Sequence, residues 1–134
     1  MSKVGYTRIG GPDVLPTGGA PLDCKFSPVN GTYLAVVGEI SPSLLIYKRS
    51  GDVFTKITDP IQPPSGYTAG CAFSTDGVYL AVAGYGPPYL YIYKRIGDTF
   101  TKLPDPEDVP TAQAYGCAFG GEYLAVVGSY GIYL

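Results

Sequence analysis

An all-β protein built from repeated four-stranded antiparallel sheets is what this 134-residue sequence predicts, and three observations predict it. One segment occurs three times, as Cys24-Lys25-Phe26-Ser27 leading to Tyr33-Leu34-Ala35-Val36, as Cys71-Ala72-Phe73-Ser74 leading to Tyr79-Leu80-Ala81-Val82, and as Cys117-Ala118-Phe119 leading to Tyr123-Leu124-Ala125-Val126. Its copies lie 47 residues (24 to 71) and 46 residues (71 to 117) apart, a period that marks solenoids, propellers or arrays. The chain is also rich in Gly (19), Pro (13) and Tyr (13), the mixture of short strands and tight turns, and no stretch repeats apolar residues at helical spacing.

The middle repeat shows each element. Gly70-Cys71-Ala72-Phe73-Ser74 reads as a short strand, and Thr75-Asp76-Gly77 as a turn with the Asp-Gly signal of a hairpin. Tyr79 to Gly84 is an apolar run short enough to be a strand buried on both faces. Gly86-Pro87-Pro88 breaks the chain. Tyr89 to Arg95 follows as a third strand, with its three tyrosines on one face and Leu90 and Ile92 on the other. Gly97-Asp98 turns the chain again, Thr99 to Leu103 alternates as a fourth strand, and Pro104-Asp105-Pro106 leads onward. The first repeat follows the same plan over Asp23 to Ser27, Tyr33 to Gly38, Leu44 to Arg49 and Val53 to Thr58.

Four strands in a meander, then a link to the next copy, make one blade of a β-propeller; a solenoid needs no fourth strand. The expected organisation is a single module over residues 1–134, with blades at 22–58 and 69–103, three strands of another at 115–134, and an outer strand at 1–9.

Phe26-Ser27 with Gly31, and Phe73-Ser74 with Gly77, each followed by Tyr-Leu-Ala-Val, resemble the repeats of WD40-like propellers across essentially the whole chain. The pattern is most similar to the very regular repeats of the form CAFSPDGxYLAV…YIYKRSGDTFTKL found in tailed-phage and bacterial proteins of unassigned role. The resemblance implies a propeller fold and a scaffold habit, with a phage-encoded protein as one source and a bacterial one as the other, and not an activity. The usual Gly-His position holds no histidine, and Tyr47-Lys48 and Tyr93-Lys94 stand where Trp-Asp would be. The buried His/Asp network of that family is therefore not carried over.

Counted from the shared glycine, Gly128 matches Gly84 and Leu134 matches Leu90, partway through a third strand. Gly5-Tyr6-Thr7-Arg8-Ile9 matches Thr99-Phe100-Thr101-Lys102-Leu103, so the N-terminal segment has the sequence of the outer strand the last repeat lacks. Propellers usually have about four to eight blades, and inner-strand edges left open template aggregation. The ring is therefore expected to close between copies of the chain. Val4, Tyr6, Thr7, Arg8 and Ile9 of one copy would meet Ile132, Tyr133 and Leu134 of the next. A homodimer with six blades is favoured over a homotrimer with nine.

With no histidine, the chain has no imidazole for nucleophilic catalysis or metal ligation. Its carboxylates fall mostly in turns, and a glycosidase pair drawn from Asp105, Glu107 and Asp108 has no counterpart in repeat one, where Asp59-Pro60-Ile61-Gln62 stands. The expectation is a non-enzymatic interaction scaffold without cofactor or metal. A net charge of −2 gives no general attraction for nucleic acid or anionic membranes. The Lys-Arg pairs at 48–49 and 94–95 read as solvent-facing guards on outer strands. Three cysteines at equivalent places read as small reduced hydrophobes, and no apolar leader precedes them, so a cytoplasmic location is expected. The ligand-binding candidates are tyrosines in loops: Tyr67 and Tyr115 at equivalent places just before the first strands of two blades, and Tyr85 and Tyr130 between second and third strands. A multivalent carbohydrate-binding propeller is the alternative function, because flat amphipathic rings in repeated shallow sites suit sugars.

Overall fold

The computed structural model describes residues 5–134. Eleven strands form three antiparallel sheets. Sheet one holds β1 (Pro21–Phe26), β2 (Tyr33–Gly38), β3 (Leu44–Ser50) and β4 (Val53–Lys56) in that spatial order. Sheet two holds β5 (Thr68–Phe73), β6 (Tyr79–Gly84), β7 (Leu90–Ile96) and β8 (Thr99–Lys102) in the same order. Sheet three holds β9 (Ala114–Gly120), β10 (Tyr123–Gly128) and β11 (Gly131–Tyr133). No helix among the described residues is long and apolar enough to cross a membrane.

The repeated motif produces the repeated sheet through its turns and its glycines. At the β5–β6 turn the Ser74 hydroxyl accepts the Tyr79 amide at 2.9 Å, Asp76 accepts the Val78 amide at 3.0 Å, and Gly77 takes φ +72°. Ser27 caps the Tyr33 amide in the same way at 3.0 Å. The glycine closing each second strand, Gly38, Gly84 or Gly128, sits against backbone: an added Cβ would lie 2.5, 3.0 or 2.5 Å from the carbonyl of Ala20, Tyr67 or Gln113. Close backbone approach next to the bulge in each first strand is why that position recurs as glycine.

The sheets stack with their first strands nearest one another, β1 against β5 and β5 against β9. Between sheets one and two, Tyr33, Ala35, Val37, Leu44 and Ile46 meet Cys71, Leu80, Val82, Tyr91, Tyr93 and Phe100. Between sheets two and three, Ala81, Ala83, Leu90 and Ile92 meet Ala114, Cys117, Leu124, Val126 and Tyr133. Sheet two is thus covered on both faces, as the apolar run Tyr79–Gly84 requires. Polar pins cross the first junction: the Thr68 hydroxyl donates to the Ser43 carbonyl at 2.6 Å and accepts the Gly38 amide at 2.9 Å, and Asp23 accepts the Cys71 amide at 3.2 Å.

Links lie on the sheet they precede. Ile61 pairs in parallel with Thr101 and the Tyr93 hydroxyl donates to the Gln62 carbonyl at 2.9 Å. The N-terminal segment does the same on sheet one, where the Tyr47 hydroxyl donates to the Val14 carbonyl at 2.6 Å and Asp13 accepts the Lys56 amide at 2.7 Å.

Three sequence expectations change. Tyr89 does not share a face with Tyr91 and Tyr93: at φ +68° it belongs to the preceding turn and packs with Leu90 on the other side. Counting from the shared glycine misplaces the last strand, because the β10–β11 turn is two residues shorter than the β6–β7 turn. Val126 pairs with Tyr133 as Val82 pairs with Tyr91, so Leu134 stands at the register of Ile92, not Leu90. Tyr67 and Tyr115 are not equivalent either. Thr68 and Ala114 share a register, which puts Tyr115 inside β9 and makes Gln113 the counterpart of Tyr67.

Candidate functional site

Two regions collect the candidate residues. The first is the rim formed by turns preceding first strands and following second strands. Tyr85 and Tyr115 meet there with ring centroids 6.0 Å apart at 69°, and the Tyr115 and Ser129 hydroxyls lie 2.8 Å apart. The Tyr85 amide bonds to the Tyr67 carbonyl at 2.8 Å, so Tyr67 borders the same rim, and Tyr130 follows Ser129 in the β10–β11 turn. Tyr67, Tyr115 and Tyr130 are exposed.

The second region is the pair of outward faces of the stack. Each sheet has a face like that of Tyr33, Ala35, Val37, Leu44 and Ile46, and an opposite face like that of Cys71, Leu80, Val82, Tyr93 and Phe100; the two kinds fit together at the first junction. The outward face of sheet three is of the first kind. Tyr123 occupies the register of Tyr33, Val127 that of Val37 and Ile132 that of Leu44. Tyr33 is 6% exposed and Tyr123 71%; Leu44 is 0% exposed and Ile132 70%. The outward face of sheet one is of the second kind, with Cys24, Leu34 and Val36 lining a shallow groove beside β1 and Phe26 exposed beyond it.

Beside β11 a further groove of about 650 Å³ opens between Leu90 and Ile92 of sheet two and Leu124, Val126 and Tyr133 of sheet three. At the first junction the corresponding space is filled by Tyr93 and Phe100. Of the expected assembly residues, Ile132 and Tyr133 lie in β11 and Leu134 follows it at the mouth of this groove. Tyr6, Thr7, Arg8 and Ile9 are exposed and form no strand, and Val4 lies outside the described residues.

One cluster at the first junction was not singled out from sequence. The Tyr33 hydroxyl donates to Asp98 and, at 3.1 Å, to the Gly97 carbonyl. The Arg95 guanidinium lies 5.0 Å from the Tyr33 ring centre, Phe100 meets that ring edge-on at 5.6 Å, and Lys48 reaches Asp98 at 2.9 Å. Tyr33 and Asp98 are 65 residues apart, so no local spacing joins them. The available signal is the recurrence of Tyr-Leu-Ala-Val and of Lys-Arg-x-Gly-Asp in two repeats.

Hydrogen bonds from Tyr33 and then Lys48 hold the Asp98 carboxyl below its ordinary range, and the Asp98 hydrogen bond raises Lys48. A depressed carboxylate stabilises above its unfolded pKa of about 3.9, and that stability is lost as pH falls through the folded value; a raised lysine stabilises below about 10.4. The stability difference between the native chain and Asp98→Asn is therefore expected to be flat between these limits and to narrow as pH falls below about 3.9. Urea midpoints measured from pH 7 to pH 2.5 check this. A gap that does not narrow toward the acid end contradicts it.

Besides Lys48, three of the described lysines are engaged with carboxylates: Lys25 pairs with Asp23 at 2.9 Å, Lys56 with Asp59 at 2.6 Å, and Lys102 with Asp105. Among the described residues no cluster of three or more Cys, Asp or Glu is placed to hold a metal ion. The three cysteines are free. Burial pushes the Cys71 thiol well above its ordinary range and Cys117 up to about 12, whereas Cys24 is exposed. No family model matches the chain, and no curated protein matches it.

Proposed function

We propose that the three sheets are consecutive blades of a β-propeller that copies of the chain complete together, and that the assembled ring is a non-enzymatic interaction scaffold. One observation carries this: the two outward faces are the two halves of an interface that the chain builds within itself. A face of the first kind on one copy and of the second kind on the next form a head-to-tail contact, which gives a ring when its rotation closes. Two copies give six blades, inside the common range; three give nine. In such a ring the Gly5–Ile9 segment of one copy lies beside β11 of the next, with Tyr6 at the groove that Phe100 fills at the first junction.

Two measurements test the assembly. Native mass should be a multiple of the 14.1 kDa chain. Cys24 stands where Cys71 is buried, so it should react with a maleimide in dilute, dissociated protein and be protected in concentrated protein. A single-chain mass with Cys24 reactive at all concentrations would refute the proposal.

The tyrosine rim supports carbohydrate binding as a second reading, favoured by the paired Tyr85 and Tyr115 rings with the Ser129 hydroxyl beside them. Aromatic faces edged by hydroxyls suit the apolar face and polar edge of a pyranose. A glycan array on the assembled protein, with Tyr115→Ala and Tyr67→Ala as controls, decides it. Silence across the array rejects the reading.

A further inference from the structure

We infer that the contact between copies is latched by Tyr123 of one chain on Arg49, Asp52 and Phe54 of the next. The inference rests on the assembly proposed above and names the residues that hold it.

The template is the Tyr33 cluster. Tyr33 crosses from sheet one to sheet two and is received by three side chains on β7, the β7–β8 turn and β8: Arg95 over its ring, Asp98 at its hydroxyl, and Phe100 at its edge. By strand register the counterparts on sheet one are Arg49, Asp52 and Phe54. The counterpart of Tyr33 on sheet three is Tyr123.

The receiving half is already built on sheet one. Arg49 donates through Nε to the Gly31 carbonyl at 3.1 Å and through Nη1 to the Gly51 carbonyl at 3.0 Å. Arg95 makes the same two bonds, to Gly77 at 3.3 Å and Gly97 at 3.0 Å. Gly51 and Gly97 share a left-handed φ of +56° and +59°, so the two turns present their carbonyls alike. Phe54 packs on Phe26 at 6.0 Å as Phe100 packs on Phe73 at 6.4 Å. The incoming half is present too, since Tyr123 stands exposed on β10. A guanidinium and an aromatic held in place before binding cost little entropy to engage, and tyrosine and arginine dominate such contacts. The Asp52 carboxylate supplies the acceptor that a buried phenol needs.

The occupant is a second copy of this chain rather than another protein. The continuous register of the open face matches the closed one, and the links tie Tyr47 and Tyr93 alike on sheets one and two, with Leu45 and Tyr47 buried but Cys24 and Phe26 of the face of the second kind left exposed for a neighbour.

Sedimentation or light scattering over a concentration series, on the full chain, tests the latch. Tyr123 and Asp52 are exposed, so their variants keep the fold; circular dichroism at dissociating concentration verifies it. Tyr123→Ala is expected to weaken association about tenfold or more. Tyr123→Phe, which keeps the ring and loses the hydroxyl, should fall between Ala and the native chain. Asp52→Ala should weaken the native chain and add nothing in the Tyr123→Phe background. Association that is native-like in Tyr123→Ala and Asp52→Ala overturns the latch while the assembly stands. A native chain of single-chain mass overturns both.

Discussion

Replacing Phe100 with alanine is expected to lower the unfolding free energy by about 3–5 kcal/mol, the largest loss of any single side chain on the first junction. The ring is 2% exposed and touches two aromatic partners, Tyr33 at 5.6 Å and Phe73 at 6.4 Å, both close to edge-on. Truncation removes its transfer energy and leaves a cavity between two sheets that their ladders hold apart, so collapse recovers little. It also strips one wall from the Tyr33 phenol, whose other partners, Arg95 and Asp98, lie on β7 and the β7–β8 turn. Urea unfolding at fixed protein concentration reads the effect, because association would otherwise shift the apparent stability. Phe54→Ala is the comparison. Its ring is only half-buried in the single chain, so at dissociating concentrations its loss should be clearly smaller. Equal losses would mean that burial between sheets is not what gives Phe100 its weight.

Arginine at position 127 is expected to abolish assembly while leaving the single chain folded. Val127 is 44% exposed on the open face of sheet three, but its counterparts Val37 and Ala83 are fully buried between sheets. In the assembled ring the new guanidinium would enter a junction lined by Cys24, Leu34 and Val36, where the one nearby carboxylate, Asp23, is already held by Lys25 and the Cys71 amide. An uncompensated buried charge costs about 3–5 kcal/mol, on the order of a hundredfold or more in the association constant. Val36→Arg, on the receiving face of sheet one, should act identically although the two positions lie on opposite sides of the chain. Native mass spectrometry at several concentrations checks both variants. If either keeps the native assembly, the faces do not meet as proposed.

The tyrosine rim shows how far spacing carries an argument. Reading both as loop residues placed Tyr67 and Tyr115 at equivalent sites, yet Tyr67 stands four residues before Cys71 and Tyr115 two before Cys117, and the strand register follows that offset. Tyr115 is consequently two positions further along and inside β9. Counting from the shared glycine put Leu134 at Leu90, because a turn shortened by two residues leaves no trace in the glycine from which the count began. Turn length and bulge position are backbone facts, and sequence similarity aligns side chains. Tyr85 stands in a loop but Tyr115 lies in β9, and their ring pair was not legible from sequence, since it joins two different repeats.

By itself the sequence determined the strand pattern, the turns and the repeat. These depend on short-range chemistry: alternation along a strand, Asp-Gly and Ser caps at turns, and a glycine wherever another backbone comes close. The ends of β2, β6 and β10 were read from those signals alone. Only the tertiary structure decided what each copy of Tyr-Leu-Ala-Val does. The first tyrosine is sealed between sheets and the third stands in solvent, although their local sequences are the same. Burial belongs to the neighbour across the junction, dozens of residues away, and a local pattern carries no record of whether that neighbour is there.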